Sequence, residues 1–132
     1  MEKDFQGKNK QRGLKRFLLS FKYAIQGIIH AYKNEQSLLV HLIGTITIIC
    51  LGLLLRITNT EWILLILSLS VVLVVEMINS AIEAIVDMVM PKYHPMAKVA
   101  KDCAGGATFV LVIITGIISL YIFVPYVIEL LK

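Results

Sequence analysis

The sequence predicts an all-α membrane protein: three transmembrane helices preceded by an amphipathic helix on the membrane surface. Three observations carry that reading. Hydrophobic residues make up 58% of the 132-residue chain, with a mean hydropathy of +0.80, more than a soluble domain usually holds. Three apolar stretches, Leu38–Leu55, Trp62–Val75 with a mixed continuation, and Ala107–Leu131, approach or exceed the ~20 residues that cross a ~30 Å hydrocarbon core. Ahead of them lies an arm of 35 residues with eight of the thirteen Lys and Arg, where the net charge of +4 is concentrated.

In chain order, the surface helix comes first, over about 12–34. From Arg12 to Lys33 the residues Leu14, Phe17, Leu18, Phe21, Ile25, Ile28, Ile29 and Tyr32 recur at helical spacing, with Lys15, Arg16, Lys22 and Gln26 between them. Such a helix lies in the membrane interface. A polybasic anchor without chemistry has the same pattern. No cleaved signal is expected at the amino terminus, because the first apolar run begins late and no small-residue cleavage site follows it.

The first span covers about 36–55. Arg56 to Glu61 then reads as a short polar hairpin, with Trp62 as an interfacial anchor for the second span, about 62–88. Pro91 and Pro95 end that helix near Met90 and make a loop of Lys92, Tyr93 and His94. The third span follows over about 98–128. The whole is read as one domain, 1–132. Lys and Arg are dense before the first span and recur at Lys92, Lys98 and Lys101, against Arg56 and Lys132 on the other side. The positive-inside rule therefore puts the amino terminus in the cytoplasm. Cys50 and Cys103 indicate neither a disulfide framework nor a zinc site, and read as small packing residues.

Glu76, Asn79, Glu83 and Asp87 follow one another at spacings of three, four and four, so they share one helical stripe. Glu76 falls ~20 Å along the helix from Trp62, inside the hydrocarbon but toward the cytoplasmic face. A charge there costs at least ~2.5–3.5 kcal/mol, so the carboxylate must be protonated, paired, metal-bound or turned to a polar cleft. Glu35 before the first span and Lys101-Asp102 before the third can converge on the same level, while Glu35 or Lys101 taken singly reads as an ordinary interfacial charge. Carboxylates beside a lysine suit a divalent cation and phosphates. No GxxxxGK[ST] loop and no protein-kinase signature set is present. Gly105-Gly106 reads by default as close helix packing. A stripe of this kind also suits an ion or proton conductor, or interhelical hydrogen bonds that hold an oligomer together.

The run Glu76-Met77-Ile78-Asn79-Ser80-Ala81-Ile82-Glu83-Ala84-Ile85-Val86-Asp87, followed by Tyr93-His94 and Ala100-Lys101-Asp102, strongly resembles the bacterial diacylglycerol kinase family. The resemblance extends from about Arg16 to the end of the third span and includes Lys33-Asn34-Glu35. Within the family, Lys101-Asp102-Cys103-Ala104-Gly105-Gly106-Ala107 and His41 look more like the undecaprenol kinase branch of Gram-positive bacteria. His41 stands where the enterobacterial form has an acidic residue.

The resemblance implies a homotrimer in a bacterial plasma membrane that moves the γ-phosphate of ATP to a lipid hydroxyl with Mg²⁺, at sites between subunits. The expected acceptor is undecaprenol, with diacylglycerol as the alternative. Carried onto matching positions, it implies Glu76 as general base and Glu35 and Glu83 as metal ligands. Arg16, Tyr23, Glu35, Glu83, Lys92, Tyr93, His94, Lys101 and Asp102 would contact ATP. Asn79, Asp87 and Gly105 are expected as supporting or substrate residues, Asn79, from its place on the shared stripe, by hydrogen bonding to Glu76 or the substrate. No nucleic-acid partner is expected.

Overall fold

A computed structural model describes residues 13–132; the expected start of the surface helix at Arg12 lies outside them. The chain divides into two compact units, one ending at Asn34 and one running from Glu35 to Lys132.

The described part of the first unit is a single helix, α1 (Leu14–Asn34). Gly13, at φ 100°, turns the chain into it, and the Gly13 carbonyl accepts from the amides of Arg16 and Phe17. A left-handed φ favours glycine because it has no Cβ. None of the helix's residues is buried. Phe17 and Phe21, one turn apart, meet edge to face with ring centroids 5.0 Å apart. The apolar stripe is therefore organised and open, as suits a helix that seats its apolar face in a bilayer.

The second unit has three long helices, α2 (Gln36–Leu55), α3 (Asn59–Val89) and α4 (Pro95–Leu130). Each is long and apolar enough to cross a membrane. The α3–α4 pair forms the main contact, and α2 packs on both, chiefly on α3. Large apolar side chains face outward along all three, among them Leu54, Leu67, Val110 and Leu120. In water such a surface would aggregate; in lipid it is the ordinary exterior.

The helix carrying the second span starts at Asn59, three residues ahead of Trp62, so the expected polar hairpin is partly helical. Its cause is a capping box. The Thr58 hydroxyl accepts from the Glu61 amide, and the Glu61 carboxylate accepts from the Thr58 amide at 2.7 Å, satisfying donors that a helix start otherwise leaves bare. The same carboxylate oxygen accepts from Tyr126 Oη on α4 at 2.7 Å, tying the α2–α3 turn to the end of α4. The helix carrying the third span starts at Pro95, with His94 as its cap, because proline suits a first helical position.

The tightest packing lies near that α2–α3 turn, where Ile57, Leu65, Leu69 and Ile122 form a buried cluster flanked by Trp62, Ile118 and Tyr126. A Cβ on Gly52 would sit 2.9 Å from the Trp62 ring and 3.2 Å from Ile57 Cδ1. Gly52→Ala is therefore expected to destabilise the protein by about 1–3 kcal/mol through overpacking. Because Trp62 is the sole tryptophan, the displaced ring should also show as a shift in fluorescence emission, alongside a lower denaturation midpoint. Wild-type emission and midpoint would remove Gly52 from the packing argument.

Cys50 and Cys103 correct an expectation. Both are free and exposed, on helix faces turned away from the α2–α3–α4 contacts, so they fill no gap within this unit.

Length fixes how these helices meet a bilayer. At 1.5 Å per residue, α2 is about 30 Å long, α3 about 46 Å and α4 about 54 Å. Only α2 matches the ~30 Å core. The turn at Arg56–Thr58 is tight, with Arg56 in the left-handed conformation (φ 53°), so α2 and α3 are aligned there. The excess of α3 and α4 accordingly projects at the opposite end, around Pro91.

Candidate active site

At that projecting end the four-residue stripe of α3 faces α4. Glu76 is 3% exposed and Asn79 7% exposed, whereas the Glu83 and Asp87 side chains are 39% and 65% exposed. Burial thus falls steadily along the stripe. Measured from Asn59, Glu76 lies about 26 Å along α3, just within a ~30 Å hydrocarbon layer, and Asp87 lies about 42 Å along, outside it.

Lys101, two turns into α4, binds the outer part of the stripe. Its ammonium donates to both Asp87 oxygens at 2.8 and 3.0 Å and lies 3.8 Å from Glu83 Oε2. Glu35 lies just ahead of α2 and is partly buried. Asn79 Nδ2 donates to Glu83 Oε1 at 3.2 Å, so its donor goes to Glu83 rather than to Glu76. Its Oδ1 is buried with no hydrogen-bond partner. Near Glu76 itself, the Ser80 hydroxyl closes on the Glu76 carbonyl at 3.1 Å.

Around the outer half of the stripe is a cleft of about 540 Å³ between the end of α3, the Pro91–His94 loop and the start of α4. Glu83, Asp87, Lys92, Tyr93, His94, Lys101 and Asp102 all line it. Ligand clefts are commonly ~300–1,000 Å³, a range that includes this one. Three lysines and three carboxylates line it, so its side-chain charges balance and the helix start is what favours phosphate. The α4 amino terminus opens here with no acidic residue in its first turn, and Lys92, Lys98 and Lys101 surround it. Helix amino termini attract anions through free amides and the helix dipole. His94 Nδ1 accepts from the Met96 amide at 3.2 Å, which fixes the loop at the helix start.

Two expected residues of this unit lie elsewhere. Glu76 and Asn79 sit deeper than the cleft lining. Arg16 and Tyr23 belong to the amino-terminal unit, where both are exposed. Gly105 and Gly106 meet no atom within 4 Å of an added Cβ, so close packing inside this unit does not explain them. Lys98 was absent from the expected set, yet it lines the cleft and pairs with Asp102 one turn on. Its signal in the sequence was the i, i+4 spacing to Asp102 and the shared helix start with Lys101.

Among the described residues no three His, Cys, Asp or Glu side chains converge into a closed metal site. An open site for Mg²⁺ does not need one, because Mg²⁺ keeps several waters and uses one or two carboxylates plus phosphate oxygens. The half-exposed Glu83 carboxylate and the orphaned Asn79 oxygen beside it are hard donors of that kind, so the residues fit the ion.

Comparison with known proteins matches residues 22–123 to the family described as prokaryotic diacylglycerol kinase. The undecaprenol kinase of Bacillus subtilis is 36% identical over 118 residues, 89% of this chain and 96% of that protein. The diacylglycerol kinase of Pseudomonas aeruginosa is 38% identical over 100 residues, 76% and 81% of the two chains. The diacylglycerol kinase of Escherichia coli K12 is 29% identical over 109 residues, 83% and 89% of the two.

Proposed function

This chain belongs to the prokaryotic diacylglycerol kinase family, and from that premise we propose that it phosphorylates undecaprenol at the cytoplasmic face of a bacterial plasma membrane. It is a multi-pass membrane lipid kinase with ATP as phosphoryl donor. The proposal adds the acceptor, the metal, the residue roles, the orientation and a homotrimeric assembly, all within one domain spanning 1–132. The similarity to the Bacillus subtilis undecaprenol kinase over nearly its whole length supports undecaprenol. Diacylglycerol is the second reading, supported by the relatives named diacylglycerol kinases.

One observation supports the residue roles above the others: buried Glu76 and the charged cleft lie on one continuous stripe of α3, crossing from hydrocarbon to water. A long-chain alcohol is confined to the bilayer and ATP to the aqueous side, so their reacting groups can meet only along such a path. Glu76 takes the proton of the alcohol as its oxygen attacks the terminal phosphorus. Glu76 is 3% exposed at the apolar end of the stripe, where a carboxylate can serve as general base to a hydroxyl presented from the bilayer. Lys101 exchanges Asp87 and Glu83 for phosphate oxygens, and Lys92, Lys98 and the α4 amino terminus hold the rest of the polyphosphate. Tyr93, His94 and Asp102 contribute from the cleft. Glu83 and Glu35 would hold Mg²⁺, which supplies charge neutralisation on the transferring phosphoryl group. Asn79 orients Glu83, and Gly105 leaves room on α4 for the acceptor.

The test is purified protein in mixed micelles with Mg²⁺ and γ-labelled ATP, offered undecaprenol and diacylglycerol at matched surface concentration. Label is expected in undecaprenyl phosphate, at a higher rate than in phosphatidic acid. Faster labelling of diacylglycerol would reverse the acceptor assignment.

A further inference from the structure

Three buried polar atoms of the second unit have no hydrogen-bond partner: Asn79 Oδ1, Thr108 Oγ1 and Ser119 Oγ. Asn79 lies beside Glu83, within the site already described. Thr108 is on a different helix, and none of the roles above uses it. It is 5% exposed, and a hydroxyl so buried ordinarily finds a partner.

Its level along the bundle follows from contacts at both ends. Thr115 Oγ1 donates to the Ser68 carbonyl at 3.4 Å. Thr108 precedes Thr115 by seven residues, nearly two whole turns, so the two share a face of α4. Seven residues back along α4 correspond to seven forward along the antiparallel α3, which brings Thr108 opposite Val75. From the other end, Lys101 is seven residues before Thr108 and reaches Glu83 and Asp87. The same step along α3 gives Glu76 to Ser80. Both anchors thus put the unpartnered Thr108 hydroxyl level with Glu76, within about one turn.

We infer that Thr108 is a positioning residue for the lipid acceptor, its Oγ–H donating to the oxygen of the alcohol while the alcohol's own O–H points to Glu76. This rests on the lipid kinase reading. A primary alcohol in hydrocarbon needs both its hydrogen and a lone pair satisfied, and the level of Glu76 supplies a base from α3 and a donor from α4. In the step itself the alcohol O–H bond breaks and its proton passes to Glu76. The alcohol oxygen bonds to the terminal phosphorus of ATP, and the bond from that phosphorus to its bridging oxygen breaks with the electron pair leaving on ADP. Thr108 keeps its own proton throughout and bonds a lone pair that does not attack.

Thr108→Val removes the hydroxyl at equal volume, and Thr108→Ser keeps it. In mixed micelles with saturating ATP and Mg²⁺, Thr108→Val is expected to raise the KM for the lipid alcohol about tenfold, the effect of one buried hydrogen bond. KM for ATP and the assembled size should be unchanged, and Thr108→Ser should stay within about threefold of wild type on the same grounds. An unaltered lipid KM in Thr108→Val would overturn the inference. So would equal impairment of both variants, or a change confined to KM for ATP or to assembled size, each of which marks a packing role. If wild-type protein phosphorylates no lipid alcohol, it is the kinase reading that falls, and the two failures are told apart by that control.

Discussion

Glu76→Gln is expected to lower phosphoryl transfer by about 10²–10⁴-fold, the usual contribution of a general base, with the assembled protein and its KM for ATP unchanged. The amide is nearly the same shape as the carboxylate but cannot accept the proton. Since Glu76 is 3% exposed and buried on α3, replacing a charge-bearing group with a neutral one should relieve rather than add desolvation cost. The variant should therefore denature at or above the wild-type midpoint while losing turnover. Steady-state kinetics with both substrates varied, together with size-exclusion chromatography and thermal denaturation, read the three quantities. Near-wild-type turnover would remove Glu76 from the chemistry. Loss of assembled size would instead favour the stripe as an oligomer contact.

Glu83→Gln is expected to raise the Mg²⁺ concentration needed for half-maximal activity by about 10–100-fold, the range seen when groups supporting a metal site are lost. The substituted side chain retains an amide oxygen that can accept from Asn79 Nδ2, so local structure should persist. Lys101 loses one of two carboxylates near its ammonium and keeps Asp87, its closer partner at 2.8 Å. The measurement is a Mg²⁺ titration at fixed ATP, repeated with Mn²⁺, which is also suited by carboxylate and carbonyl oxygens and should restore part of the rate. An unchanged metal requirement would leave the ligand role with Glu35 alone or pass it to Asp87.

Periodicity and breakers made most of the fold readable. Period-3.6 apolar runs gave the helices, Pro91 and Pro95 gave the loop, and the spacing of three, four and four gave the stripe whose burial gradient the structure contains. These features are local, set by residues within a turn or two of each other. The unread features depend on register between helices. Whether Asn79 turns to Glu76 or Glu83 is a choice between rotamers on one face. Glu61 meets Tyr126 across 65 positions of sequence, and nothing in either neighbourhood announces the other. Thr108 reads as an ordinary small interface residue until both ends of the α3–α4 pair are aligned. The placement of the cysteines is illegible for a related reason, since spacing alone does not tell which face of an apolar helix turns outward.

The α3–α4 pair is tied at both ends, by Glu61 to Tyr126 near one turn and by Asp87 to Lys101 near the other. That double tether limits how the protein can adapt to bilayers of different thickness. One residue inserted into α3 between the ties would rotate everything beyond it by about 100° and carry the stripe away from Lys101. Seven residues added to both helices would restore the azimuth to within about 20°, but lengthen the span by about 10 Å. Between those extremes no small insertion is neutral. Homologues living in thicker or thinner membranes should accordingly differ in helix tilt or in side-chain bulk at the lipid boundary, and keep the number of residues from Glu61 to Asp87 constant.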